Sequence, residues 1–367
     1  MALYNHQKKG WPGFTWDESR FSSILGEVRY LQGRVAGRMQ SLGFSSQTET
    51  ALKTLTEDIL KSTEIEGEHL DSDQVRSSIA RRLGLEIAGL VPSDRNVEGV
   101  VEMTLDATQN YKDPLTADRL FGWQSSLFPS GRSGMFTIMT SKWRDNEKGP
   151  MQVVSGAAGR EIVHFEAPDA SRLEKEMETF LDWFNTKQNM DPVLKSGIAH
   201  FWFVTIHPFD DGNGRIARAI ADMQLARAEG SPLRFYSMSS QIRERRNDYY
   251  TILEKTQKSD LDITAWLEWY LFCLKASLDS TIEMLDVVLQ GNAFWDKNAD
   301  ISLNERQRLM INKMQEDFFG KLTTSKWAKI TKTSQDTAGR DIQDLIVKGI
   351  LQKEGAGGRS TNYELIW

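Results

Sequence analysis

The chain has 367 residues, 40% of them hydrophobic and 26% charged, which is enough to bury a core without disulfides or metal staples. A net charge of −6 excludes a polycation built to coat nucleic acid, and the single cysteine, Cys273, excludes an intrachain disulfide and suits a reducing compartment. No run approaches the roughly 20 apolar residues of a bilayer span, and the opening residues lack a secretory apolar stretch, so a cytoplasmic protein of two or three units is expected, with no membrane partner.

In chain order, an aromatic, Gly- and Arg-rich opening leads into a helical pattern on Ile24, Leu25, Val28 and Leu31. A second helix is predicted over 49–63, on Leu52, Leu55, Ile59 and Leu60, with Gly67 just past its end. A third is predicted over 73–83, capped by Ser72 or Asp71, and a fourth over 97–108, followed by a turn at 113–116. The stretch 134–165 has a different character: 135–138, 151–154 and 161–165 are short β-prone runs, the last two joined by a Gly-containing loop, as in a hairpin. Helices are predicted again over 170–185, 193–206, 212–228, 243–256 and 263–289. A linker at 292–302 then leads to a C-terminal unit of helices 304–317, 326–330 and 334–348, with strand-like 350–353 and 362–366 flanking a Gly-rich segment. That order is a winged helix-turn-helix. The expected division is 1–95 (helical), 96–291 (core) and 300–367 (winged unit), and the fold class is mainly α with a small β-hairpin.

The densest chemistry lies between His207 and Arg218, in H-P-F-D-D-G-N-G-R-I-A-R. An apolar helix ends at His207 because Pro208 stops it, so the imidazole is delivered on a rigid support. Its ordinary pKa of about 6.5 suits a general base near neutrality. Gly212, Asn213 and Gly214 open the next helix, and glycines there let backbone N–H groups approach an anion at a helix start. Arg215 and Arg218, three apart, share one helix face and match a polyphosphate. Asp211 supplies a hard carboxylate suited to Mg²⁺ held jointly with phosphate oxygens.

This segment resembles the signature of the Fic family, H-x-F-x-[D/E]-G-N-G-R-x-x-R, with every fixed position filled. The resemblance implies a mainly helical core, ATP with Mg²⁺, and transfer of AMP to a Ser, Thr or Tyr hydroxyl of a target protein or of the chain itself. By matching positions, His207 would deprotonate the hydroxyl and Asp211 would hold Mg²⁺. Gly212, Asn213 and Gly214 would cradle the α-phosphate, and Arg215 and Arg218 would grip the β- and γ-phosphates. Phe209 would pack into the core. The run at 151–165 resembles the family's flap, in which Gln152, Val153 and Val154 would pair with an extended target segment. A homodimer is a further expectation from the family.

Ser62-Thr63-Glu64-Ile65-Glu66-Gly67 matches the family's inhibitory pattern, [S/T]-x-x-x-E-[G/N]. The resemblance implies that Glu66, with Ser62 on the same helix face, occupies Arg218 and removes it from γ-phosphate binding, since one guanidinium cannot serve a carboxylate and a phosphate together. Some members also remove AMP, using this glutamate to orient a water. The opening residues resemble an extension found on a subset of bacterial members, with Trp11 and Trp16 expected to pack it onto the core.

Residues 304–367 hold 11 Lys plus Arg against 8 Asp plus Glu, a local charge of +3, and Gln335, Thr337, Arg340 and Gln343 are expected on the outer face of the last helix. DNA is therefore a candidate partner of this unit. Three readings stand side by side: a self-restrained adenylyltransferase, a DNA-binding regulator whose core only senses nucleotide, and a transferase of phosphate, UMP or phosphocholine. An intact His207 argues against a pure sensor, and the arginine pair favours ATP over other donors.

Overall fold

The computed structural model describes residues 3–147, 149–156, 160–315, 318, 320–354 and 361–367. The chain runs through α1 (Ser22–Ser41), α2 (Phe44–Ile65), α3 (Ser72–Arg82), α4 (Arg95–Gln109) and α5 (Ala117–Leu127). Two antiparallel hairpins follow, β1 (Arg132–Ser133) with β2 (Phe136–Thr137), and β3 (Gln152–Ser155) with β4 (Ile162–Glu166). Next come α6 (Leu173–Asn185), α7 (Pro192–Ile206), α8 (Asn213–Glu229), α9 (Met238–Glu244), α10 (Arg246–Gln257) and α11 (Thr264–Lys297). The chain closes with α12 (Glu305–Gln315), α13 (Thr324–Thr331), α14 (Gln335–Val347) and a third hairpin of β5 (Leu351–Lys353) and β6 (Tyr363–Leu365).

Helix starts are set by side-chain caps that satisfy orphan N–H groups. Asp71 accepts from Gln74, Asp94 from Asn96 and Val97, and Thr116 from Arg119. Asp191 accepts from Val193 with Pro192 at the first helical position, and Ser334 accepts from Thr337.

Residues 1–281 form one compact unit and 282–367 another. In the first, α7 is buried along its whole length from Val193 to Ile206, and its strongest packing partner is α8, whose residues from Arg215 to Ala226 are buried too. A helix apolar on every side has to sit inside the core. That burial fixes both ends of the loop joining the two helices. The N-terminal extension packs Tyr4 and His6 on Phe165 of β4 and Trp11 on Trp202 of α7. On the other side, the β3–β4 hairpin is tied to α10, with the two ring nitrogens of His164 bonded to Ser155 (2.6 Å) and Glu254 (2.7 Å).

The second unit has its own core, with Trp327, Met310, Ile311, Ile342 and Leu345 buried to 2% exposure or less. Three helices precede the hairpin, and Leu322 bridges to Tyr363.

Two sequence expectations differ from the observed elements. The single helix expected over 243–256 is divided at Arg245 into α9 and α10, because Ser237 caps an earlier start at Met238. The linker expected at 292–302 is helical up to Lys297, since burying Phe294 holds the chain in helix through Gly291. Predicted loop residues 157–159 and 355–360, and 316 and 317 at a predicted helix end, lie outside the described residues. No helix among the described residues is long and apolar enough to cross a membrane.

Candidate active site

His207 is the C-cap of α7 and adopts the left-handed conformation, φ 51° and ψ 59°. Glycine usually takes this position, and a side chain there costs on the order of 1 kcal/mol unless its surroundings hold it. Its N–H closes the helix by donating to Phe203 O (3.0 Å). Its ring Nδ1 lies 3.2 Å from the Val204 carbonyl. A carbonyl only accepts, so Nδ1 carries the proton and Nε2 keeps its lone pair. Burial lowers the imidazole pKa to about 4, and nearby Arg144 adds to the lowering, against the opposing pull of the Val204 carbonyl, Asp211 and Glu66. The ring is therefore neutral at physiological pH, with Nε2 an acceptor that has no hydrogen-bond partner among the described residues.

The loop from Pro208 to Gly212 is pinned from inside. Phe209 is fully buried against Phe121, Trp143 and Phe203. Asn213 bonds the Phe209 backbone twice, accepting from its N–H (3.0 Å) and donating to its carbonyl (2.8 Å). Both polar atoms of this amide thus engage the loop, and at the start of α8 Asn213 also presents its main-chain N–H to an anion. Gly212 has φ 87°, which favours glycine, and a Cβ there would meet Phe128 at 3.0 Å. Asp211 accepts from Ser133 Oγ and from the Gly212 N–H (2.6 Å), and Asp210 accepts from the Met139 N–H (3.0 Å).

Arg215 and Arg218 are each 3% exposed at the side chain, and both meet acidic residues at the end of α2. Arg218 donates through Nε to Ser62 Oγ (2.8 Å), and through Nη2 to the Ser62 carbonyl (2.8 Å) and Glu66 Oε1 (2.7 Å). Burial pulls the Arg218 pKa down, but Glu66 together with Tyr249 and Tyr250 raises it, and the net shift is upward. Arg215 stacks on Phe128, 5.1 Å from the ring centre, and donates through Nη1 to Glu68 Oε2 (2.9 Å). Gly214 makes the approach of Glu66 to Arg218 possible, since a Cβ there would lie 2.2 Å from Glu66 Oε1. The sequence singles out Ser62 and Glu66 but passes over Glu68. The available signal is an acidic residue directly after the helix-ending Gly67, whose φ of 85° reverses the chain.

A cleft of about 430 Å³ brings Asp210 and Asp211 together with Ser133, Met139 and Gln152. Of the three predicted flap residues, Gln152 therefore lines the cleft, Val153 packs toward Tyr4 and Phe165, and Val154 is 48% exposed. In the register, Gln152 faces Glu166 and Val154 faces Val163, with a bulge between Val153 and Val154.

The residues fit a polyphosphate. Arg215 Nε is buried with no hydrogen-bond partner among the described residues, and unpaired buried donors of this kind are costly unless a ligand meets them. Among the described residues no three His, Cys, Asp or Glu side chains converge as a metal cage. Asp211 fits Mg²⁺ only as one ligand, with phosphate and water supplying the others.

Residues 4–85 match the model of a domain of unknown function, DUF4172, and residues 114–225 match the Fic/DOC family model. A protein adenylyltransferase Fic of Nematostella vectensis is 32% identical over 129 residues, covering 34% of this chain and 28% of that protein. Protein adenylyltransferase fic-1 of Caenorhabditis elegans is 28% identical over 123 residues, covering 30% of this chain and 23% of that protein. The match thus spans less than a third of either relative. Among solved structures, a Fic family protein from Desulfovibrio desulfuricans aligns with TM-score 0.54 and 21% identity, over 94% of this chain and 95% of that one. A Fic domain containing signaling protein from Bacteroides thetaiotaomicron aligns with TM-score 0.53 and 20% identity, over 71% of this chain and 97% of that one. These two likenesses establish the fold. The chain thus carries a Fic/DOC family domain over residues 114–225.

Proposed function

We propose that the protein transfers AMP from ATP to a hydroxyl of a protein target, or of itself, and that the end of α2 holds this activity down. The observation that carries the reading is the neutral His207, with Nδ1 bonded to Val204 and Nε2 open, at the head of a helix start bearing two buried arginines. Nε2 takes the proton of the attacking hydroxyl. Main-chain N–H groups of Gly212, Asn213 and Gly214 receive the α-phosphate, and Arg215 and Arg218 receive the outer phosphates. Mg²⁺, when bound through Asp211, neutralises charge on the phosphates. Gln152, Val153 and Val154 dock an extended target segment along β3. Relatives named protein adenylyltransferases support the same reading.

The restraint is a competition for guanidinium groups: Glu66 with Ser62 holds Arg218, and Glu68 holds Arg215. All three lie in the part of the chain that matches the domain of unknown function. For the C-terminal unit, the reading is a winged helix-turn-helix, with α14 as its outer helix and β5–β6 as its wing. The test is incubation of the Glu66→Gly chain with ATP labelled at the α- or the γ-phosphate. Label kept from the α-position only, and lost when His207→Ala is added, is the expected result. Label from the γ-position, or α-label that survives His207→Ala, contradicts the reading.

A further inference from the structure

We propose that Arg144, 63 residues upstream of His207, is the positioning residue that holds the catalytic base in its left-handed turn; this rests on the reading of His207 given above. Its Nε donates to the His207 carbonyl (2.7 Å) and its Nη2 to the Pro168 carbonyl (2.6 Å). Its own main-chain N–H donates to the Pro208 carbonyl (2.9 Å). One residue thus bonds both carbonyls of the His207–Pro208 turn, while Asn213 bonds the next residue, Phe209.

The cost of this arrangement argues for its purpose. Arg144 is 3% exposed, its hydrogen-bond acceptors are main-chain carbonyls, and Nη1 is buried with no hydrogen-bond partner among the described residues. Burial lowers its pKa to about 10, against the opposing pull of the Asp169 and Asp210 carboxylates. A fold needing only a backbone staple could place a neutral donor here without desolvating a charge. A guanidinium gives two things that a neutral donor does not: a rigid fork spanning two carbonyls, and a positive charge beside the imidazole. The fork opposes relaxation of the strained His207 backbone. The charge, with burial, opposes protonation of Nε2, against the Val204 carbonyl, Asp211 and Glu66. The same residue ties the two ends of the β3–β4 hairpin to the catalytic turn, because 144 precedes β3 and 168 follows β4. Asn146 also joins the two flanks of the hairpin to each other, donating to Asp169 Oδ2 (2.8 Å).

The experiment uses the full chain with Glu66→Gly as parent and adds Arg144→Gln or Arg144→Lys. AMP incorporation from α-labelled ATP is followed against pH, with kcat and KM for ATP separated and the melting temperature recorded. Arg144→Gln is expected to lower kcat roughly 10–100-fold, the scale of a misplaced catalytic group, with KM nearly unchanged and the acid limb moved to higher pH. Arg144→Lys keeps the charge but not the fork, so the limb stays in place while kcat still falls. A folded Arg144→Gln with the parent's kcat and limb overturns the proposal, as does a fall in kcat that follows the melting temperature with the limb unmoved. Should Arg144→Gln not fold, the Lys variant decides: kcat equal to the parent's overturns the proposal. A parent that incorporates no label contradicts the transferase reading instead. The imidazole titration of His207, followed by nitrogen NMR in the same chains, then decides the role of Arg144: a pKa unchanged from parent to Arg144→Gln overturns it.

Discussion

His207 acts as a base only while its ring is neutral, and the protein secures that state by burial and by directing Nδ1 at Val204. An ordinary histidine would lose half its basic form at about pH 6.5. Here the lowered value of about 4 keeps the acceptor nitrogen free well below neutrality. In the Glu66→Gly chain a carboxylate that favours protonation is gone, so the value falls further and does not rise. The expected pH profile of kcat/KM for AMP incorporation is therefore level on its acid side from pH 7 to 5. An acid limb centred near 6.5 would contradict this environment for His207. The residue types were legible in the sequence because they sit within twelve consecutive positions, where helix periodicity alone places the arginines together. Arg144 and Glu68 were not legible. The partner of Arg144 lies 63 residues away with no local pattern to mark it, and Glu68, whose partner lies 147 residues away, is marked only by its place directly after Gly67.

The end of α2 is the element on which the proposed restraint depends. Gly67 turns left-handed, its N–H and that of Glu68 closing back on Glu64 and Thr63, and the chain reverses so that Glu66 and Glu68 both face α8. Arg246 holds the same end by donating to the Ile65 carbonyl (2.6 Å), and Asp58, one turn before Ser62, accepts from Ser237 (2.7 Å) and from the Ser239 N–H. The two glutamates are not equal. Glu66 is 29% exposed at the side chain, with a second tie to the helix through Ser62, whereas Glu68 is 50% exposed. An ion pair that open to solvent contributes roughly 0.2–1 kcal/mol, so Glu68→Gln in the Glu66→Gly background should lower KM for ATP by no more than about fivefold. A titration of initial rate against ATP measures this, and a KM that rises would show that Glu68 assists ATP binding instead of opposing it. The periodicity that located α2 came from its buried face; the reversal after it depends on cap geometry, which residue spacing only hints at.

At the scale of the whole molecule, two separately cored units carry different kinds of sequence signal. The first was read from a motif, and its buried α7–α8 pair is what makes that motif rigid. The second was read from element order, and α11 runs to Lys297 into the stretch expected as a linker, with Phe294 buried in that unit's core. The region 4–85 contributes both to the support of the β3–β4 hairpin, through Tyr4 and His6, and to the contacts on Arg215 and Arg218, through Ser62, Glu66 and Glu68. A chain built this way carries the residues proposed for transfer and, at the same time, the groups that occupy its two arginines. The most direct measurement is the initial rate of AMP incorporation from α-labelled ATP and Mg²⁺ in the unmodified chain and in Glu66→Gly. A charge-assisted hydrogen bond at a buried guanidinium is worth about 1.5–3 kcal/mol, so the account predicts at least a tenfold higher rate in the variant, lost again when His207→Ala is added. Equal rates in the two chains would contradict it.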